Sequence, residues 1–217
     1  MDPAREEILE KLRAALGRQP GAPVAAIPPT ARIAPRQAAA PEAELAQLLT
    51  EIGKLSGVTR RLASREEFRD ALAELVRAEA VKRATCWTTP ELEAWGVATT
   101  LRTLGVEIIP GQADKRIVAS CELGVTGVDA ALPETGTLAL TSSPERPRVA
   151  SLLPRVHLAL LRPAVLRPDL HQVFAEIRAA GYSVLVSGPS RTADIELTLT
   201  LGVHGPKSLY VWVMDVP

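Results

Sequence analysis

The residues best suited to chemistry lie in one short segment, residues 187–196. Its functional groups are, in order, Gly188, Pro189, Ser190, Arg191, Thr192, Asp194 and Glu196. Such a loop offers backbone N–H groups, hydroxyl donors and a fixed positive charge, which together suit a phosphate or a carboxylate. An ordinary turn, with Arg191 paired to Asp194 or Glu196, explains the same composition, because glycine, proline and serine favour turns.

The neighbouring sequence places this loop in a predicted fold. The apolar run 182–186 predicts a buried strand, and ligands of open α/β sheets bind at the carboxyl ends of strands. Residues 193–201 alternate as a strand would, but a cap at Ser190 or Thr192 and Gly202 after the end favour a short helix. That helix would hold His204 roughly 15 Å from its start, at ~1.5 Å per residue. His204, followed by Gly205, is a candidate acid–base or hydrogen-bonding residue, or a histidine that caps a turn.

A second polar segment is the turn of Glu134, Thr135, Gly136 and Thr137. A carboxylate beside two hydroxyls can act as a nucleophile, a base or an acceptor for a ligand hydroxyl. The alternative is a hairpin tip with a solvated glutamate. Because neither this turn nor the later loop has a local core partner, we expect both to meet at one end of the sheet as a single site.

Composition excludes several classes of protein. The 217 residues carry 25 Lys+Arg and 25 Asp+Glu, and aromatic residues make up only 3%. A nucleic-acid-binding protein would show clustered basic residues and stacking aromatics, so no nucleic-acid partner is expected. No apolar run approaches the ~20 residues of a membrane span. The charged N-terminus lacks the apolar core of a signal peptide, so a cytoplasmic location is expected.

Cysteine and histidine usage predicts neither a metal site nor a bound cofactor. Cys86 and Cys121 are distant in sequence, whereas an iron–sulfur cluster takes about four cysteine ligands. We expect both to be reduced core residues. His157 lies in an apolar strand pattern and is expected in the core, and His171 is expected on a helix surface. Walker, dinucleotide and nucleophile-elbow motifs are absent from the sequence.

The chain divides by composition into two predicted parts. Residues 1–41 combine a short amphipathic helix with a proline- and alanine-rich arm that has little capacity to build a core. Such an arm is typical of a docking element, including one that joins copies of the chain into a homo-oligomer, or of a frayed terminus. Residues 42–217 alternate short strands with helices, which predicts an α/β domain with a mainly parallel sheet flanked by helices.

Within the second part, individual elements can be assigned. Helices are predicted over 45–52, after a capping box formed by Ser64 and Glu67, over 90–104 and over 168–180. Strands are predicted over 84–87, 106–109, 156–161 and 208–214, and a further pair of strands flanks the Glu134 turn.

Five motifs in this order resemble the LUD-domain family, in its lactate utilization protein C branch. They are residues 124–129 (GVTGVD), 134–137 (ETGT), 151–157 (SLLPRVH), 187–196 (SGPSRTADIE) and 202–206 (GVHGP). The resemblance spans roughly residues 42–217. It implies a NagB/RpiA/CoA-transferase-like fold and a role in oxidising L-lactate to pyruvate beside two iron–sulfur proteins.

Three functions remain open at this point. The first is a non-redox component that binds a small anion through Arg191, Ser190 and Thr192, with the Glu134 turn completing the pocket. The second is an acyl- or CoA-transfer enzyme with Glu134 as the nucleophile. The third is a structural subunit that docks its partners through the N-terminal helix and arm.

Overall fold

The structure is a computed structural model that describes residues 3–17, 35–192 and 200–215. The chain divides into two compact units, Met1–Ala34 and Pro35–Pro217. The first unit contains the predicted N-terminal helix, α1 (Pro3–Ala15), in which no described residue is buried. Its apolar side chains Ile8 and Leu12 are both more than half exposed.

The second unit contains the remaining described elements. Its helices are α2 (Pro41–Lys54), α3 (Arg65–Ala78), α4 (Pro90–Ala94), α5 (Val97–Thr103), α6 (Lys115–Val118) and α7 (Leu170–Ile177). Its strands are β1 (Val58–Leu62), β2 (Arg83–Cys86), β3 (Glu107–Ile108), β4 (Leu123–Thr126), β5 (Ala130–Leu132), β6 (Thr137–Thr141), β7 (Val156–Leu161), β8 (Ser183–Val186), β9 (Arg191–Thr192), β10 (Thr200–Leu201) and β11 (Ser208–Met214). Among the described residues, no helix is both long and apolar enough to cross a membrane.

A six-stranded parallel sheet forms the centre of this unit, in the order β1-β11-β7-β4-β2-β3. Strands β4 and β7 are buried along their whole length. A parallel sheet covered by helices on its faces produces such continuous apolar runs. The predicted α/β class with a mainly parallel sheet is therefore confirmed.

Local sequence signals explain where the helices begin and end. Ser64 Oγ accepts a hydrogen bond from the backbone N–H of Glu67 at 3.1 Å, as the capping box predicts, and α3 follows. The single helix expected from Pro90 to Leu104 is wrong, because Gly96 adopts a left-handed φ of 73° and divides it into α4 and α5. Only glycine takes this conformation at little cost.

A smaller antiparallel sheet, in the order β5-β6-β8, carries both candidate segments. The turn predicted at Glu134 joins β5 to β6, and β8 pairs with β6. The expectation that β8 is a buried strand leading to the edge of the parallel sheet is wrong. Strand β8 lies at the edge of this second sheet, and Leu185 is 39% exposed.

The helix favoured over residues 192–201 is also contradicted where the structure describes that segment. Arg191 and Thr192 form β9, which pairs antiparallel with Thr200 and Leu201 in β10. Residues 193–199, and with them Asp194 and Glu196, lie outside the described residues. The alternating pattern of apolar residues was the correct signal at the two ends of this segment.

His157 is the buried titratable group at the centre of the parallel sheet. Its Nε2 atom lies 2.9 Å from Thr126 Oγ1, and its Nδ1 atom has no hydrogen-bond partner among the described residues. The expected core position is confirmed, although only one of the two ring nitrogens is paired. Complete burial lowers the pKa of His157 from 6.5 to about 4.

The buried imidazole predicts a loss of stability in mild acid. Between pH 6.5 and about 4 the unfolded chain binds a proton at His157 and the folded chain does not. The free energy of unfolding therefore falls as the pH falls through this window, by up to about 3 kcal/mol. Urea denaturation at pH 7.5 and pH 5 should show this loss, and His157→Gln should flatten it. The control is His171→Gln, which removes an exposed histidine of α7. An unchanged pH dependence in the His157 variant would contradict the assignment.

Gly136 fixes how closely the β5–β6 turn approaches α2. Its φ is 63°, and a Cβ atom at this position would lie 2.8 Å from the backbone nitrogen of Ile52 and 2.9 Å from the carbonyl carbon of Glu51. Because both contacts are with backbone, no side-chain rotation can relieve them.

Gly136→Ala should therefore destabilise the chain by about 2–4 kcal/mol, the sum of a left-handed backbone and an overpacked contact. Gly181→Ala is the matched control, since a Cβ atom there meets nothing within 4 Å. Thermal unfolding of both variants provides the test. Equal melting temperatures would show that α2 and the turn are not held at this distance.

Candidate functional site

The Glu134 turn presents its polar groups on one side of the small sheet. Glu134 and Thr135 are exposed, whereas the Thr137 side chain, the first of β6, is buried. Thr135 Oγ1 and Thr137 Oγ1 lie 2.7 Å apart and share a hydrogen bond. The turn therefore sets a carboxylate and a linked pair of hydroxyls side by side.

The second candidate segment joins this turn through Ser187. Its Oγ atom lies 2.7 Å from Thr137 Oγ1, so three hydroxyls form one chain from Thr135 through Thr137 to Ser187. The two segments therefore meet, as expected, although they lie fifty residues apart. That they form a single ligand site stays a prediction. Three hydroxyls carry three protons, and two of these are used within the chain. One proton remains to donate to another group.

A cavity of about 360 Å³ opens beside this hydroxyl chain. We call it the Glu134 cavity; it is lined by Leu55, Leu132, Glu134, Thr135, Thr137, Leu170, Leu185 and Ser187. Apolar leucines form its walls, and a carboxylate and three hydroxyls provide its polar groups. An apolar pocket with a few convergent polar groups is typical of small-molecule sites.

Arg191 lies next to this cavity without lining it. Its Nη2 atom donates to the Leu55 carbonyl oxygen at 2.7 Å and to Ser56 Oγ at 3.0 Å. The guanidinium therefore satisfies a carbonyl at the C-terminal end of α2 and lies close to Leu55, a cavity wall residue. Gly188, with a φ of 95°, approaches the same leucine, since a Cβ atom there would lie 3.0 Å from Leu55 Cβ.

The rest of the loop packs against the turn that contains His204. The Ser190 backbone N–H donates to the Pro206 carbonyl oxygen at 2.9 Å, and the Ser190 carbonyl oxygen accepts from the Gly202 N–H at 3.0 Å. A Cβ atom on Gly205 would lie 3.2 Å from Ser190 Cβ. The separation of roughly 15 Å expected from a helix is wrong, because this turn contacts the loop directly.

The other candidates that the structure describes do not line the cavity. His204 is exposed, Pro189 is buried, and Thr192 is half-buried in β9. The structure thus brings Glu134, Thr135, Thr137 and Ser187 together and places Arg191 at their side. No group of three His, Cys, Asp or Glu side chains that could share a metal ion occurs in the described ranges.

A charged cluster that the sequence did not indicate lies near Glu134. Arg36 forms paired hydrogen bonds of 2.9 Å to both carboxylate oxygens of Glu44, and its backbone N–H donates to Asp169 Oδ2 at 3.1 Å. Glu44 is only 4% exposed. The pKa of Arg36 is raised, chiefly by the Glu44 hydrogen bonds and further by the charges of Glu134 and Asp169. The charges of Arg36 and Glu134 therefore act on each other, although Arg36 is itself paired with Glu44.

Sequence reasoning missed this cluster for identifiable reasons. Arg36 lies within the proline- and alanine-rich stretch, which we assigned to the arm, whereas the structure groups residues 35–40 with the second unit. Glu44, in the first turn of α2, resembles any acidic residue that favours a helix N-terminus. The Asp169 side chain caps α7 by accepting from the Gln172 N–H at 3.0 Å, a signal that identifies a helix start and not a site.

Comparisons with known proteins agree with the motifs. The family model for the LUD domain matches residues 45–214. Lactate utilization protein C of Halalkalibacterium halodurans is 30% identical, over 69% of this chain and 70% of the relative. Its counterpart in Shouchella clausii is 31% identical, with the same coverage. Lactate utilization protein C 1 of Bacillus mycoides is 28% identical, over 97% of each chain.

A solved structure supports the fold. The crystal structure of a DUF162 family protein from Deinococcus radiodurans superimposes with a TM-score of 0.63 at 20% identity. The match covers 82% of this chain and 99% of the other. With a family model that spans most of the chain and a relative at 31% identity, this chain belongs to the LUD domain family.

Proposed function

We propose that this chain is a component of an L-lactate utilization system that oxidises lactate to pyruvate, and that it binds a small anion beside Glu134. The relatives named lactate utilization protein C support the first part. The second part rests on one observation: the hydroxyl chain from Thr135 to Ser187 lies beside a carboxylate in a cavity of about 360 Å³.

The groups around the cavity suit an anion that also carries a hydroxyl. The remaining proton of the hydroxyl chain donates to a ligand oxygen, and Glu134 accepts from the ligand hydroxyl. Arg191 has five N–H donors, of which the end of α2 takes two from Nη2. We assign the others to the ligand carboxylate or phosphate.

Electron transfer in such a system is assigned to the partners. This chain has two cysteines, too few for an iron–sulfur cluster of its own. Both are buried, and burial raises the pKa of the Cys86 thiol to about 12 and that of Cys121 to about 11. Thiols that resist ionisation are poor metal ligands. We therefore propose that iron–sulfur proteins are its partners and that this chain is the subunit without a cluster.

The anion proposal predicts the behaviour of Arg191→Ala. Isothermal titration with L-lactate, pyruvate and inorganic phosphate should detect at least one ligand for the unaltered chain. The variant should bind that ligand ten- to a hundredfold more weakly, because a charge-assisted hydrogen bond contributes about 1.5–3 kcal/mol. Arg191→Lys should restore only part of the affinity, since lysine lacks the planar fork.

Two controls separate binding from folding. Arg191→Ala also removes the hydrogen bond to Leu55. Its free energy of unfolding should therefore fall by about 1 kcal/mol, which lowers the melting temperature slightly. Arg178→Ala, an exposed arginine at the end of α7, should change neither quantity. A lowered melting temperature with unchanged affinity would show that Arg191 serves the fold alone.

We also propose that α1 docks partners, including a second copy of the chain. The helix exposes Ile8, Leu12 and the adjoining Leu16 at spacings of four residues, which places them on one face. Deleting residues 1–34 should abolish co-purification with the iron–sulfur partners and reduce self-association in sedimentation experiments. The melting temperature of the remaining unit should be unchanged, since no described residue of α1 is buried. Retained partner binding would contradict this role, and Ile8→Glu with Leu12→Glu provides the same test without shortening the chain.

A further inference from the structure

A second cavity, of about 380 Å³, opens at the carboxyl ends of β2 and β3. It shares no lining residue with the Glu134 cavity. Cys86, Leu92, Val97 and Ile109 are among its buried apolar residues. Its size falls within the ~300–1,000 Å³ range of small-molecule sites.

The strand order places this cavity where the chain reverses the direction in which it adds strands to the parallel sheet. From β2 the chain continues to β3 on one side, and from β3 it returns to β4 on the other side of β2. Strands diverge in this way at a topological switch point, where the connecting loops leave a crevice at the carboxyl ends. The cavity is lined by the loops that follow β2 and β3, with Trp87, Thr88, Pro110 and Gly111 among them.

The polar groups of this cavity are few and have free bonding capacity. The side chains of Arg102 and Glu93 line it and form no ion pair or hydrogen bond in the part of the chain that the structure describes. The charge of Arg102 acts on the Cys86 thiol, opposing the rise in pKa that burial causes, so the guanidinium lies close to the cavity floor. Gln112 Nε2 donates to the Pro144 carbonyl oxygen, which leaves Gln112 Oε1 as an acceptor.

This arrangement matches a ligand with a flat apolar body, several hydroxyls and an anionic end. We propose that the cavity binds a nucleoside phosphate. Arg102 binds the phosphate, Glu93 and Gln112 accept from the ribose hydroxyls or a base amine, and the base packs on the apolar wall beside Trp87.

Titration of the full chain with the four common nucleoside 5′-monophosphates tests the proposal. At least one should bind, and the matching nucleoside without phosphate should bind more weakly. Arg102→Ala should weaken binding of the monophosphate ten- to a hundredfold and leave the nucleoside affinity unchanged. Arg102→Lys should recover part of the loss. Arg77→Ala is the matched control, an exposed arginine in the last turn of α3, and should change nothing.

A second variant tests the cavity itself. Ala98 is half-buried and lines the cavity, so Ala98→Trp should fill it and abolish binding of both nucleoside and monophosphate. A melting temperature close to that of the unaltered chain shows that the variant is folded. The proposal is overturned if no monophosphate binds at millimolar concentration. It is also overturned if binding survives in both Arg102→Ala and folded Ala98→Trp, or if L-lactate competes for the same site.

Discussion

The last turn of α2 is the surface against which the candidate site is assembled. Two turns of the second unit press backbone against it, through glycines that adopt positive φ. Gly136 approaches Ile52 too closely for a Cβ atom, and a Cβ atom on Gly188 would lie only 3.0 Å from Leu55 Cβ. Arg191 then satisfies the Leu55 carbonyl oxygen, one of the orphan acceptors that every helix C-terminus presents. The hydroxyl chain from Thr135 to Ser187 forms because both turns are held against the same helix end.

The Arg36–Glu44 pair holds the opposite end of α2, its N-terminal end, in place. A carboxylate that is 4% exposed would be costly to bury alone, and its two hydrogen bonds to Arg36, with a third from the Ala39 N–H at 2.7 Å, compensate for the lost hydration. Arg36 also donates to the Pro168 carbonyl oxygen, just before α7. One ion pair therefore joins the start of α2 to the start of α7, and Leu170 of α7 forms part of the cavity wall.

Sequence patterns predicted those features that depend on neighbours in the chain. The capping box at Ser64, the buried strand around His157 and the hairpin turn at Glu134 each depend on spacing within a few residues, and each is present. What the sequence did not predict depends on contacts between distant segments. The pairing of β8 with β6 moved Ser187 from the large sheet to the small one, and the partners of Arg36 are eight and more than a hundred residues away. Nothing local distinguishes such an arginine from a solvated one.

The two cavities lie on different sheets, yet a continuous set of contacts joins them. Strand β4 lies next to β2 in the large sheet, and after β4 the chain passes through Asp129 into β5 of the small sheet. The Asp129 carboxylate accepts from the Thr141 N–H and hydroxyl at 2.7 and 2.9 Å and pairs with Arg146. The Arg146 guanidinium lies 5.7 Å from the ring centre of Trp87, which lines the second cavity. A carboxylate with several fixed donors and an arginine stacked on an indole resist displacement. Asp129 therefore ties the end of β6 to Arg146, and Arg146 in turn packs on Trp87 in the loop that follows β2.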